Sequence, residues 1–297
     1  MNNLLSSESL SKEAIEEILQ KADSFLGYNG DDMKGKILAN LFYEPSTRTR
    51  LSFETAMKRL GGEVISVTDM ESTSAMKGET LDDTAKVISQ FADIVAIRHP
   101  ESGSATRFAN NSKVPVINAG DGAGQHPSQG LLDLFTIKKE KGKLDGLKIV
   151  MSGDLKYSRC TNSLAYLLAN YDVEFVFVAP DQLKMKPEVL EYLDEKGVKY
   201  SETDDFKEGI KDADVLYCTR IQKERFADSQ DYEELKDVYI LNKILVEERC
   251  PECIVMHPLP RVHEISHDVD DMPNAAYFKQ VENGVAVRMA ILTMLLA

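Results

Sequence analysis

The chain has 297 residues, about twice a common domain length, with 43% hydrophobic and 28% charged residues. It is therefore expected to fold as two domains or one large α/β unit, and a disordered chain is excluded. Thirty-five Lys and Arg against 49 Asp and Glu leave a net charge of −14, which argues against nucleic acid or an anionic membrane as the main partner but leaves a small anionic substrate open.

The opening residues, MNNLLSSESLSKEAIEE, have no basic start and no long apolar core, so no secretory signal is expected and the chain is placed in the cytoplasm. Strand-like and helix-like segments alternate from there to the end, which predicts parallel sheets flanked by helices. A helix capped by Ser11 carries Ile15, Ile18, Leu19, Ala22, Phe25 and Leu26 on one stripe and stops at Gly27. A strand is expected at residues 37–42, then a turn at Glu44-Pro45 and a helix from Ser46 to about Leu60, ended by Gly61-Gly62. Further strands are expected near 64–67, 94–97 and 116–118, with helices near 81–91 and 131–141. The polar stretch 139–146, KEKGKLDG, reads as a hinge. A second series follows, with strands near 148–152, 174–178, 215–219 and 254–256 and a helix near 187–196. The last helix, about 276–297, is long enough to cross back over the first domain. The expected division is 1–138, completed by 276–297, and 145–275. The most apolar stretch, 285–297, is interrupted by Arg288 and Thr293 and is too short for a bilayer. Of Cys160, Cys218, Cys250 and Cys253, only the last two form a Cys-x-x-Cys pair. That is half of a tetrahedral zinc site with no second pair, so no metal is expected.

In parallel sheets ligands bind beyond the carboxyl ends of the strands. Ser46, Thr47, Arg48, Thr49 and Arg50 follow the first expected strand, Arg98 and His99 the third, and His126 and Gln129 the fourth; Arg159, Arg220 and His257 stand at equivalent points in the second half. Cations at successive strand ends of an acidic chain point to a substrate with several negative charges. The 46–50 segment begins a helix, so N–H groups, hydroxyls and guanidinium could converge on a phosphate. An ordinary capped helix with exposed arginines reads equally well from those residues alone. No Gly-x-x-x-x-Gly-Lys or Gly-x-Gly-x-x-Gly fingerprint is present.

Phe42-Tyr43-Glu44-Pro45-Ser46-Thr47-Arg48-Thr49-Arg50 resembles the carbamoyl-phosphate signature of the aspartate and ornithine carbamoyltransferases. Met76-Lys77-Gly78-Glu79-Thr80, Arg98-His99-Pro100, Gln125-His126-Pro127-Ser128-Gln129, Gly153 to Arg159, Thr219 to Arg225 and His257-Pro258-Leu259-Pro260-Arg261 follow in the family's order and cover nearly the whole chain. The resemblance implies transfer of a carbamoyl group from carbamoyl phosphate to the amino group of L-aspartate, an early step of pyrimidine synthesis. It requires no cofactor, metal or covalent enzyme intermediate. Attack on the carbonyl builds a negative oxygen and releases an anion, so fixed donors and cations are what the chemistry needs.

Carried over by position, Ser46, Thr47, Arg48 and Thr49 should hold the phosphate. Thr49, Arg98 and His126 should serve the carbonyl oxygen, and Gln129 with the backbone carbonyls of Leu259 and Pro260 should take the carbamoyl NH2. Ser128 stands where the family often has threonine. Arg159, Arg220 and Gln222 match aspartate-binding positions. Lys77 should come from a neighbouring subunit's loop and touch both substrates, together with a hydroxyl from Thr73 or, failing that, Ser74. Such sharing implies a homotrimer. Lys156-Tyr157 and Lys223-Glu224-Arg225 resemble the allosterically regulated kind, which leaves a zinc-bearing regulatory chain open; the charge cluster reads equally as a solvated face. The rival acceptor is ornithine, whose enzymes typically carry His-Cys-Leu-Pro where this chain has Pro258; a catalytically silent scaffold is the other alternative.

Overall fold

A computed structural model of the chain describes residues 1–70, 74–222, 232–233, 235 and 237–297, with only the backbone described at 74 and 75. The chain divides into two units, Met1–Phe135 with Val281–Ala297, and Thr136–Gln280.

The first unit opens with α1 (Lys12–Ser24), whose Ser11 cap accepts the Ala14 N–H at 3.3 Å. Ile15, Ile18, Leu19, Ala22 and Phe25 are buried as the stripe requires. Leu26 is exposed, contrary to expectation: the helix closes at Phe25 and the chain turns away through Gly27 at φ +71°. Next come β1 (Ile37–Phe42), α2 (Thr47–Arg59), β2 (Glu63–Val67), α3 (Leu81–Ile88), β3 (Ile94–His99), α4 (Ser104–Ala109), β4 (Val116–Asp121) and α5 (Pro127–Lys141), the last running on into the second unit. The strands form one parallel sheet in the order β2-β1-β3-β4. Leu38, Ala39 and Leu41 of β1 and Ile94 to Ile97 of β3 are buried on both sides, the pattern of a sheet covered on both faces. Strands β3 and β4 run two and three residues past their expected ends. Arg98 and His99 are thus the last residues of β3, with Arg98 in register with Phe42 and His99 with Asp121.

The second unit contains β5 (Leu147–Ser152), α6 (Arg159–Leu168), β6 (Val173–Val178), α7 (Pro187–Glu195), β7 (Lys199–Thr203), α8 (Phe206–Gly209), β8 (Val215–Cys218), α9 (Lys243–Arg249) and β9 (Ile254–Met256). They form a parallel sheet in the order β7-β6-β5-β8-β9 over a core that includes Val150, Val176, Leu216, Val246 and Val255. Cys250 and Cys253 are buried in it with their sulfurs 3.3 Å apart, and among the described residues no group of three or more His, Cys, Asp or Glu could hold a metal ion.

Helix α10 (Tyr277–Leu296) passes from the second unit into the first at Val281. Within the first unit Arg288 donates to Ser52 Oγ of α2 at 3.0 Å and lies over the Phe53 ring, which is the expected return to the first domain. Among the described residues no helix is long and apolar enough to cross a membrane.

Candidate active site

In the first unit the expected anion-binding residues gather at the carboxyl edge of the sheet. Ser46 is the N-cap of α2 but makes no side-chain bond to the helix, so the first N–H groups of α2 carry no hydroxyl cap and the positive end of the helix faces outward. Thr47 and Arg48 are exposed on that first turn and Thr49 is buried beneath them. Arg50 turns back along the helix to pair with Glu54 at 2.7 Å.

Thr49 Oγ1 stands 3.3 Å from His126 Nε2, joining the start of α2 to the residue that precedes α5. His126 is buried and its Nδ1 faces Ser128 Oγ at 3.4 Å, so the serine keeps the hydroxyl contact that a threonine would offer. Arg98, at the end of β3, lies with Nε 3.2 Å from Glu44 Oε2, an acid of the turn between β1 and α2. Gln129 Nε2 donates to the buried carboxylate of Asp133 at 2.9 Å, which orients the amide one helical turn away. Tyr43 and His99 pack edge to face beside these residues; burial, helped by Glu79, pushes the Tyr43 hydroxyl up to about 12, and burial lowers His99. Lys77 is exposed on the 3-10 turn Ser74–Lys77. Thr73 lies outside the described residues, and of Ser74 only the backbone is described.

In the second unit Arg159 opens α6 behind its Ser158 cap, and Arg220 follows β8. Gln222 Nε2 donates to Asp154 Oδ2 at 3.2 Å, and the other Asp154 oxygen accepts the Tyr157 N–H at 2.9 Å. Burial raises the Asp154 carboxyl, against the pull of these bonds and of the Arg220 guanidinium. The approach is made by Gly153, φ +106°, where a Cβ would fall 2.1 Å from the Thr219 carbonyl oxygen. After β9 the chain passes through Leu259, half-buried at φ +53°, to the exposed Pro260. Lys223, Glu224 and Arg225 lie outside the described residues.

Each unit thus presents fixed cations and donors at the carboxyl ends of a parallel sheet. Glu44, Asp133 and Asp154, which touch these residues, were not among the site residues expected from the sequence; Glu44 and Asp154 stood in the quoted motifs without a role, and Asp133, four residues after Gln129, carried a readable helical spacing.

Residues 2–139 match the family described as aspartate/ornithine carbamoyltransferase, carbamoyl-P binding domain, and residues 145–295 match its Asp/Orn binding domain. The chain belongs to the aspartate/ornithine carbamoyltransferase family. It is 51% identical over 302 residues to the aspartate carbamoyltransferase catalytic subunit of Methanocaldococcus jannaschii, covering all of this chain and 98% of that one. It is 48% identical to aspartate carbamoyltransferase 1, chloroplastic, of Pisum sativum, covering all of this chain and 79% of the relative. Among solved structures, aspartate transcarbamoylase from Trypanosoma cruzi in complex with carbamoyl phosphate and aspartate superposes with a TM-score of 0.94 at 38% identity, over all of this chain and 97% of that one.

Proposed function

We infer that this chain transfers the carbamoyl group of carbamoyl phosphate to the amino group of L-aspartate, giving N-carbamoyl-L-aspartate and phosphate. The observation that carries the reading is the buried Thr49–His126 pair, 3.3 Å apart at the head of an anion-facing helix. It places a hydroxyl and an imidazole, preorganised, where a carbonyl oxygen gains charge beside a leaving phosphate. The first turn of α2, through Ser46, Thr47 and Arg48, holds the phosphate. Thr49, Arg98 and His126 stabilise the oxygen; Glu44 orients Arg98. Gln129, held by Asp133, takes the carbamoyl NH2 with the Leu259 and Pro260 carbonyls. Arg159, Arg220 and Gln222 take the two carboxylates of aspartate, with Asp154 fixing Gln222. The amine attacks the carbonyl carbon, its proton passes to an oxygen of the phosphate group, and the C–O bond to phosphate breaks, so that phosphate leaves carrying that proton and the C–O bonding pair.

The active form is a homotrimer in which Lys77 and the hydroxyl at Thr73 or Ser74 serve a neighbouring copy's site. Lys77 is exposed, and the apolar side chains of Leu51, Ile65, Met76, Val87 and Phe91 are exposed on the same unit. The Methanocaldococcus relative is named a catalytic subunit, which favours a separate regulatory chain and allosteric control here as well. The enzyme acts in the cytoplasm, in pyrimidine synthesis.

The test is product formation from carbamoyl phosphate with L-aspartate or L-ornithine, for the wild type and Arg220→Ala. Turnover of aspartate alone is expected. Loss of one charge-assisted contact, about 1.5–3 kcal/mol, should raise the aspartate KM of the variant roughly 10- to 150-fold. Turnover of ornithine, or of neither amine, would overturn the reading.

A further inference from the structure

A buried pair just after β9 has no part in the reaction as described so far. His257 and Glu264 are both buried, with Nε2 and Oε1 2.7 Å apart. The other ring nitrogen, Nδ1, accepts the Leu259 N–H at 2.8 Å. A backbone N–H can only donate, so Nδ1 carries no proton; the ring proton is on Nε2 and is given to the carboxylate. The second oxygen of Glu264 accepts the N–H groups of Val262 and His263 at 3.1 and 3.0 Å, and the His257 N–H donates to Gln280 Oε1 at 2.9 Å. The loop from Pro258 to His263 is therefore tied at both ends to one imidazole–carboxylate pair.

What the pair holds is a costly conformation. Leu259 sits at φ +53°, a left-handed backbone that a leucine rarely adopts and that persists only where its surroundings enforce it. The N–H bond into Nδ1 is such an enforcement: it fixes the Pro258–Leu259 peptide plane, the Glu264 bond to the Val262 N–H fixes the Arg261–Val262 plane, and the two planes between them, which carry the Leu259 and Pro260 carbonyls, are held from both sides. Burial and the guanidinium groups of Arg220 and Arg261 lower His257, so the ring stays neutral and Nδ1 stays an acceptor; Glu264 pulls the other way.

We propose that His257 and Glu264 are positioning residues that aim the Leu259 and Pro260 carbonyls, and so select an acyl phosphate whose carbonyl carbon bears NH2 over one whose carbonyl carbon bears CH3. The proposal rests on the role given to those two carbonyls above. An aimed acceptor pair is matched by two N–H donors and is left unpaired by a methyl group, which makes it a strong discriminator between isosteres.

Acetyl phosphate is the methyl isostere, and inorganic phosphate probes the anion site alone. His257→Asn places a carboxamide oxygen near Nδ1 and keeps the Leu259 bond; His257→Gln reaches the Nε2 position instead and loses it. We expect His257→Gln to lower kcat/KM for carbamoyl phosphate about 10- to 100-fold. The inhibition constants of acetyl phosphate and inorganic phosphate should stay within about threefold of the wild type, and His257→Asn should recover most of the loss. If His257→Gln does not fold, Glu264→Gln, which keeps an acceptor for Val262 and His263, should narrow the same selectivity ratio. Equal loss toward all three ligands, an unchanged ratio in both glutamine variants, or an asparagine variant no better than glutamine would overturn the proposal. A wild type that makes no N-carbamoyl-L-aspartate would overturn the reading of the activity itself, and this inference with it.

Discussion

Gly153→Ala probes the join on which the second half of the proposed site depends. Gly153 follows β5 with φ +106°, and a Cβ there would lie 2.1 Å from the Thr219 carbonyl oxygen and 2.8 Å from Thr219 Oγ1. Thr219 cannot simply retreat: its N–H donates to Ser152 O at 2.8 Å and its hydroxyl to the Ser152 and Asp154 carbonyls at 3.1 and 3.3 Å. Accommodating the methyl requires the turn and the end of β8 to separate by on the order of 1 Å. The disallowed φ adds roughly 1–3 kcal/mol and the overpacking another 1–3 kcal/mol, together about 2–6 kcal/mol. Native stabilities are about 5–15 kcal/mol, so the variant should fold but unfold early, its urea midpoint lower by roughly 0.7–2 M at a slope of about 3 kcal/mol per molar. Because Asp154 is the next residue and Arg220 follows Thr219, the same displacement misplaces the Gln222–Asp154 contact, and a 1 Å error can cost about 100-fold in rate. Steady-state kinetics should show kcat/KM for aspartate falling by about that factor while inhibition by inorganic phosphate stays within roughly twofold. A variant with the wild-type midpoint and wild-type aspartate kinetics would refute this account of Gly153. Equal weakening of phosphate would show that the damage is not confined to the second unit.

Thr49→Val keeps the side-chain shape but removes the hydroxyl beside His126; kcat should fall roughly 100- to 1,000-fold with little change in the unfolding midpoint, and a loss below about fivefold would count against Thr49 as an oxygen donor. Arg288→Met deletes a buried guanidinium that donates to Ser52 Oγ and the Gly284 carbonyl at 3.0 and 3.2 Å and lies near Asp133. Denaturant titration should find it destabilised by about 2–5 kcal/mol, and wild-type stability would show the charge to be dispensable. Arg261, followed by hydrogen bonds from Tyr277 and His267, holds Asp270 well below its ordinary value of 3.8. A depressed folded pKa stabilises above the ordinary value and is lost on acidification, so Asp270→Asn should be less stable than the wild type at neutral pH, the gap narrowing as the pH falls below about 4 and closing only well below pH 2. A gap that does not change with pH would contradict the ion pair's contribution.

β1 and β9 match their expected bounds because both are buried almost throughout and read as short runs that are apolar but for Asn40, although β9 lies at the edge of its sheet. β7, KYSET, went unread for the opposite reason. It is an edge strand with three of its five side chains exposed, and its partner β6 determines it more than its own residues do. The extra residues of β3 and β4 were missed because Arg98, His99 and Asp121 are polar and Gly120 does not read as strand. They extend the ladder anyway, since the neighbouring strand supplies the backbone partner whatever the side chain. Leu26 shows the reverse error: periodicity placed it on the buried stripe, but periodicity holds only while the helix does, and α1 ends at Ser24, two residues earlier.

At the candidate site the residues facing outward were legible and those behind them were not. The outward residues come in short motifs after strands, where sequence order and position in the fold coincide. The supporting acids are not marked in that way, although Glu44 and Asp154 lie within two of the motifs: Glu44 meets Arg98 and Asp154 meets Gln222 across separations that only the folded sheet closes, and Glu264 meets His257 from further along the same loop. Nothing in composition separates them from the rest, since the chain has 49 acidic residues. Burial does. Among the described residues the buried acids are Asp121, Asp133, Asp154 and Glu264, and each accepts a bond from a segment of the candidate site: Gln125 N–H, Gln129 Nε2, Gln222 Nε2 and the His257 ring respectively. A carboxylate is expensive to bury and is kept only where its bonds repay desolvation, so these four mark the points at which the fold spends stability to fix a polar side chain. In a chain this acidic, the surface acids set the net charge, and the few buried ones set the geometry with which donors and cations meet an anionic substrate.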